Sequence, residues 1–286
     1  MKRFRYVASC NFTLFYPELS LRVQDYLSKR ADVEIIRCCT DHYKIKEFED
    51  KMPDCVSRRW KETVHYTAFD EDTIMVSVCQ NCTSVFQESQ PDIEVLSLWE
   101  YILEYVPDFP FPDYGGVKMT LQDCWRQHDN EAQQNAVREL LHRMNIDVVE
   151  LKENRAETKY CGTTTLRATP KRNLVMAPKR YVENAKGFFE PHTPEEQEAY
   201  MAEYCRQITT EAIVGYCHYC TQGFNLVGQK NYHLAELLFP CPRFPCELFQ
   251  PLSIQSSSNM RAMDSFSGIW GRLSRRNQPP LAISLC

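Results

Sequence analysis

Hydrophobic positions fall in short blocks divided by polar turns, and the blocks alternate between two spacings. FRYVAS, residues 4–9, reads as a strand that stops at Cys10. PELSLRVQDYLSKR, residues 17–30, carries apolar residues at helical spacing, with proline at a natural first-turn position. VEII, Val33–Ile36, predicts the next strand, which ends at the adjacent pair Cys38 and Cys39. TIMVSV, residues 73–78, is a β-rich run ending at Cys79, with Cys82 three positions on. IEVLS then leads into a predicted helix, LWEYILEY, over Leu98–Tyr105.

PDFPFPDYGG, residues 107–116, is dense in proline and glycine and marks a boundary. Beyond it the order recurs. VKMTL, residues 117–121, leads to Cys124, and EAQQNAVRELLHRM, residues 131–144, has helical periodicity. DVVEL, residues 147–151, precedes a loop with Cys161 and Gly162, and EAIVGY, residues 211–216, runs into Cys217 and Cys220. TIMVSVCQNCTSVF and EAIVGYCHYCTQGF share one design: buried strand, CxxC, threonine, helix start. The expected fold class is α/β, with two pseudo-symmetric Rossmann-like lobes, each built on a parallel sheet. The cysteines then lie at the C-terminal strand ends, where such sheets bind ligands. The expected organisation is a first cysteine-rich domain at 1–110, a second at 117–248, and a disordered, serine-rich tail at 249–286.

At 286 residues, 43% hydrophobic and 25% charged, the composition is that of a soluble globular protein with ample capacity for a core. A net charge of −5 without a basic run gives no support to a nucleic-acid or anionic-membrane surface. The basic start MKRFRYVASC has too short and broken an apolar run for a signal peptide. No segment approaches the roughly 20 apolar residues of a membrane span, so a cytoplasmic protein is expected. Fourteen cysteines then become the unusual feature. Without an export signal they point to metal or redox chemistry rather than to a disulfide scaffold.

Each half reads C…C(C)…CxxC. A CxxC at a helix start aims two sulfurs at one centre, and the helix N-terminus favours thiolates. The first set is Cys10, Cys38, Cys39, Cys79 and Cys82. A structural zinc takes four ligands and would leave one of these idle, whereas a polynuclear iron–sulfur cluster can use both members of a vicinal pair. The second set is Cys124, Cys161, Cys217 and Cys220, and four thiolates suit either a cubane cluster or zinc. Cys55, Cys205, Cys241, Cys246 and Cys286 are spare thiols. His218 is expected to be a helix-start residue, Asp123 and His128 to sit in a solvated loop, and Trp99, Tyr101 and Tyr105 to pack. No phosphate-cradling glycine loop is present. Further cysteines at strand ends disfavour a thioredoxin-type exchange site, and the distance between the two CxxC pairs disfavours a zinc ribbon.

The duplicated pattern resembles the cysteine-rich CCG domain, found in two copies in the CCG-bearing subunit of heterodisulfide reductase and in related iron–sulfur oxidoreductases. The family pattern is C-xn-CCG-xn-CxxC, and the resemblance covers roughly residues 5–240. CNFTLFYPEL at residues 10–19 and LQDCWRQHD at residues 121–129 support it. The resemblance implies a [4Fe-4S] cluster in the first half, in the family's noncubane form held by Cys10, Cys38, Cys39, Cys79 and Cys82. It also implies [4Fe-4S] or zinc on Cys124, Cys161, Cys217 and Cys220. Two departures stand out: Thr40 replaces the glycine of CCG in the first half, and Tyr160 replaces its first cysteine in the second. The implied activity is that of an oxidoreductase subunit passing electrons from a ferredoxin-like or flavoprotein partner to a small-molecule disulfide or organic acceptor. The alternative is a zinc-stabilised assembly subunit of a redox complex, without catalysis of its own.

Overall fold

The computed structural model describes residues 3–41, 43 and 46–240. The first half runs β1 (Arg3–Val7), α1 (Cys10–Phe15), α2 (Pro17–Leu27), β2 (Val33–Ile36), α3 (Lys46–Glu49), α4 (Asp54–Glu62), β3 (Thr73–Ser77), α5 (Gln80–Ser89), β4 (Val95–Ser97) and α6 (Leu98–Tyr105). The second runs β5 (Val117–Gln122), α7 (Glu131–Arg143), β6 (Ile146–Glu150), α8 (Lys171–Met176), α9 (Pro194–Cys205), β7 (Ala212–Gly215), α10 (His218–Leu226), β8 (Asn231–His233) and α11 (Leu234–Leu238). A π-helical turn over Lys179–Glu183 follows α8.

Both sheets are four-stranded and wholly parallel, in the orders β2-β1-β3-β4 and β6-β5-β7-β8. The fold class is therefore α/β, with two Rossmann-like sheets of identical strand order. Every residue of β3 and β7 is buried. Their continuous apolar runs are what a parallel strand covered on both faces requires. The strand–helix junctions repeat as well: Ser97 and Glu100 close a capping box at the start of α6, and His233 and Glu236 close one at the start of α11.

The two sheets share one core, which includes Tyr6, Trp60 and Trp99 from the first half and Leu121, Trp125 and Phe224 from the second. Each such ring or branched side chain contributes about 1.5–3 kcal/mol through the area it removes from water. The helix read over 17–30 stops at Leu27 with Ser28 as its C-cap, and the one read to Met144 ends at Arg143. Residues 107–116 contain no helix or strand and connect α6 to β5. The tail at 249–286, with Cys241 and Cys246 before it, lies outside the described residues.

Candidate metal centre

The strand order decides where the thiols go. In each sheet the three strands that precede cysteines are neighbours, and all run the same way. Their carboxyl ends therefore deliver the cysteine loops to one edge.

In the second lobe these loops converge. The Sγ atoms of Cys124, Cys161, Cys217 and Cys220 all lie within 4.8 Å of one another, and all four residues are buried. Cys124 Sγ and Cys161 Sγ are 3.8 Å apart. Among the described residues this is the group of cysteine, histidine and carboxylate side chains able to hold a metal ion. Cys217 is the N-cap of α10. Against the cost of burial, hydrogen bonds from Cys124, Cys161 and Cys220 hold its thiol well below the usual range. Burial and the neighbouring sulfurs push Cys124 and Cys220 well up. A cation bound by these four sulfurs would displace their protons and organise the set.

Gly162 makes this convergence possible. Its φ is +59°, and a Cβ there would lie 1.9 Å from the Tyr219 carbonyl oxygen. The loop after Cys161 thus packs backbone to backbone against the CxxC turn. Tyr160 occupies the position that Cys38 holds in the first half. It stacks on Tyr204 and Phe224, with ring centroids 4.3 and 4.9 Å away, and donates to the Cys220 carbonyl at 3.1 Å. It fills space and ties the CxxC turn, as a packing residue.

In the first lobe all five predicted cysteines are buried near one sheet edge, but their contacts form a chain rather than a compact foursome. The Cys39 thiol takes hydrogen bonds from Cys38 and Cys82 that, with the Arg172 guanidinium, hold it well below its usual range. Cys82 is hydrogen-bonded in turn to Cys79 and to Ser9 Oγ, the latter at 3.6 Å. Burial, then the nearby Cys39 and Cys79, pushes Cys10 up to about 12. Positive φ among described non-glycine residues occurs at Ser9, Asn145 and Arg155, so Thr40 has ordinary backbone and this loop needs no glycine.

Each sulfur set has an arginine, and the sequence pattern points to neither. Arg126, 1% exposed, donates to Cys161 Sγ and, at 3.0 Å, to the Tyr181 hydroxyl. Although burial disfavours its charge, the surrounding sulfurs, Cys161 foremost, keep it firmly protonated. Arg172 of α8 reaches across from the second half to the Cys39 sulfur at 3.5 Å and the Thr40 hydroxyl at 2.9 Å. No sequence signal marks either residue, because each meets its thiol only through tertiary approach.

The two CxxC turns are also joined to the opposite lobe. Gln80 donates to the Tyr216 carbonyl at 3.2 Å. Asn81 accepts from Asn173 and from the Tyr181 hydroxyl, both at 2.8 Å. Tyr219 accepts from Asn11, next to Cys10, at 2.6 Å, and its ring lies 4.4 Å from the Arg126 guanidinium carbon.

His218 is the first residue of α10, as expected, yet it is fully buried among Phe12, Phe15 and Tyr219, and burial pulls it down to about 4. Asp123 corrects the expectation of a solvated loop. It is 1% exposed and receives bonds from Arg138, the Arg155 amide and the Tyr216 hydroxyl. His128 stacks on Trp125 with the rings 3° from parallel. Cys55 is exposed on α4, and Cys205 is half-buried at the end of α9. No helix among the described residues is long and apolar enough to cross a membrane.

No family model matches the chain, and no curated protein matches it. Among solved structures it is similar to the glutamate racemase of Aquifex pyrophilus at 13% identity, over 83% of this chain and 81% of that one, with a TM-score of 0.26. That likeness carries no argument about the chemistry of this chain.

Proposed function

We propose that the chain is an iron–sulfur oxidoreductase subunit of the heterodisulfide reductase type, passing electrons to a disulfide or other small organic acceptor. The observation that carries this reading is the duplication of a buried sulfur set at the carboxyl edge of two identically ordered parallel sheets. In the first lobe, Cys10, Cys38, Cys39, Cys79 and Cys82 would hold a [4Fe-4S] cluster. Their extended chain of contacts suits a polynuclear group better than a single ion. Such a group supplies one-electron chemistry at a potential set by thiolate count, burial and hydrogen bonds to sulfur. Arg172, Ser9 and Thr40 are the side chains here that donate to, or lie in hydrogen-bond range of, those sulfurs. A ferredoxin-like or flavoprotein partner would be the source of electrons.

The second lobe supports a different metal. Four zinc–sulfur bonds of about 2.3 Å give a tetrahedron whose sulfur–sulfur edges are about 3.8 Å. Cys124 and Cys161 already stand at that separation, and all four sulfurs lie within 4.8 Å. A cubane cluster would need the thiolates to spread apart around four irons. We therefore read Cys124, Cys161, Cys217 and Cys220 as a structural zinc site beside a redox site. A zinc-stabilised assembly subunit without its own catalysis is the second reading, and this same spacing favours it.

Anaerobic purification followed by iron, acid-labile sulfide and zinc analysis separates the two. A brown protein with iron and sulfide lost in Cys39→Ser, and zinc lost in Cys220→Ser, is the expected result. A colourless wild type holding zinc alone would leave the assembly reading in place.

A further inference from the structure

The segment from Arg167 to Phe189 is unlike the rest of a chain whose net charge is −5: it holds Arg167, Lys171, Arg172, Lys179, Arg180 and Lys186 against the single acid Glu183. Its helix and π-turn present two contrasting faces. Arg172, Asn173 and Tyr181 point inward, to Cys39, to Asn81, and to Asn81 with Arg126. The inner face thus touches one sulfur set directly and the other through Arg126. Lys171, Leu174 and Val175 of α8, and Lys179, Val182 and Lys186 of the turns that follow it, are all exposed and make up the outward stripe of the segment, with Glu183 the one exposed acid beside them. Val175 is 77% exposed and Val182 50%, whereas most large hydrophobic side chains of the described residues are covered.

We propose that this stripe is the docking face for an acidic one-electron carrier protein, one that presents an apolar contact centre rimmed by carboxylates. The proposal rests on the redox reading of the first sulfur set and adds the place of electron entry. Three lysines around exposed valines match such a partner in both charge and apolarity. A carrier seated on Val175 would lie on the far side of the helix whose Arg172 donates to the Cys39 sulfur. In each encounter the carrier gives up one electron and the cysteine-held centre takes it, with no atom or proton exchanged.

The test uses the full-length chain, prepared anaerobically, and a small acidic 2[4Fe-4S] ferredoxin as the probe. Binding is followed by calorimetry at low and raised salt for wild type, Val175→Glu and the double variant Lys171→Glu/Lys179→Glu. The wild type is expected to bind and to weaken with salt. Each variant is expected to lose about tenfold in affinity or more, with circular dichroism and metal content unchanged. Equal binding by wild type and variants, or no binding by a metal-loaded wild type, overturns the proposal. So do two other outcomes: self-association of the chain abolished by Val175→Glu, and Val175-dependent co-sedimentation with phosphatidylcholine–phosphatidylserine vesicles. Iron and sulfide measured on the same samples keep the failures apart. A metal-free wild type that still binds the ferredoxin removes the redox reading but not the docking face.

Discussion

The two lobes share a strand order and a cysteine plan, but they differ in how their sulfurs are held. The second lobe draws four thiols within 4.8 Å, whereas the first strings Cys38, Cys39, Cys82 and Cys79 along a chain of hydrogen bonds with Cys10 nearby. The loop after the middle cysteine shows the cause. Gly162 has φ of +59° and packs its α-carbon against backbone, while Thr40 keeps ordinary φ and places its hydroxyl beside Arg172. Tyr160, which stands in the second lobe where Cys38 stands in the first, goes with tighter closure, because its ring stacks between Tyr204 and Phe224. One repeated plan thus yields two arrangements of sulfur, a compact foursome and a hydrogen-bonded row.

Replacing a cysteine at equivalent places breaks this comparison most sharply. On the proposed zinc reading, Cys217→Ser is expected to abolish metal retention by the second lobe and to destabilise the chain by about 5 kcal/mol, since a metal's binding energy is folding energy. On the proposed cluster reading, Cys79→Ser is expected to abolish iron and sulfide retention by the first lobe at less than half that cost. Metal analysis combined with urea melts checks both, and equal destabilisation would erase the proposed division of labour.

The glycine exchange comes next. Gly162→Ala should cost about 4 kcal/mol, because the new Cβ meets a carbonyl oxygen that cannot rotate away. Thr40→Gly should cost about 1 kcal/mol or less, chiefly through the entropy of the unfolded chain. A Thr40→Gly variant with the larger loss would show that the first loop is the tighter one.

The smallest contrast is in pH. Burial raises both capping carboxyls, that of Glu236 to about 7 from its ordinary 4.5. The folded chain therefore holds these protons more tightly than the unfolded chain. The resulting stabilisation is complete below about pH 4.5 and is lost as pH rises through about 7 for Glu236. Glu236→Gln should flatten that slope by at most about 3 kcal/mol, and Glu100→Gln by less. Denaturant midpoints measured from pH 5 to 8 read the difference; identical slopes in the two variants would mean that the two boxes are equally buried.

The repeat is visible in one dimension because the central strands are continuous apolar runs, each ended by a cysteine. β1, β2, β3, β5, β6 and β7 are legible on that ground within a residue or two, as are the amphipathic helices α6 and α7, while α2 stops three residues before its predicted end. β8 and α11 escape the hydrophobic pattern, since NYH is short and polar, although aligning it with the Ser97–Glu100 box exposes it. Thr193, Pro194 and Glu196 carry a readable helix start that hydrophobic spacing alone does not reveal. The thiols themselves are legible as two sets. Their spacing is not, because a linear pattern gives the order of ligands and not the closeness of approach that Gly162 permits.

The hydrogen bonds that cross between lobes have a consequence for biogenesis. A nascent chain displays the first lobe before Asn173, Arg172 and Tyr219 have been synthesised, and these are the residues that grip Asn81, Cys39 and Asn11. The first pocket therefore stays unfinished until the second has emerged, and its closure is tied to the synthesis of both lobes. Cutting the polypeptide within 107–116 would leave two fragments that must find each other before either is competent.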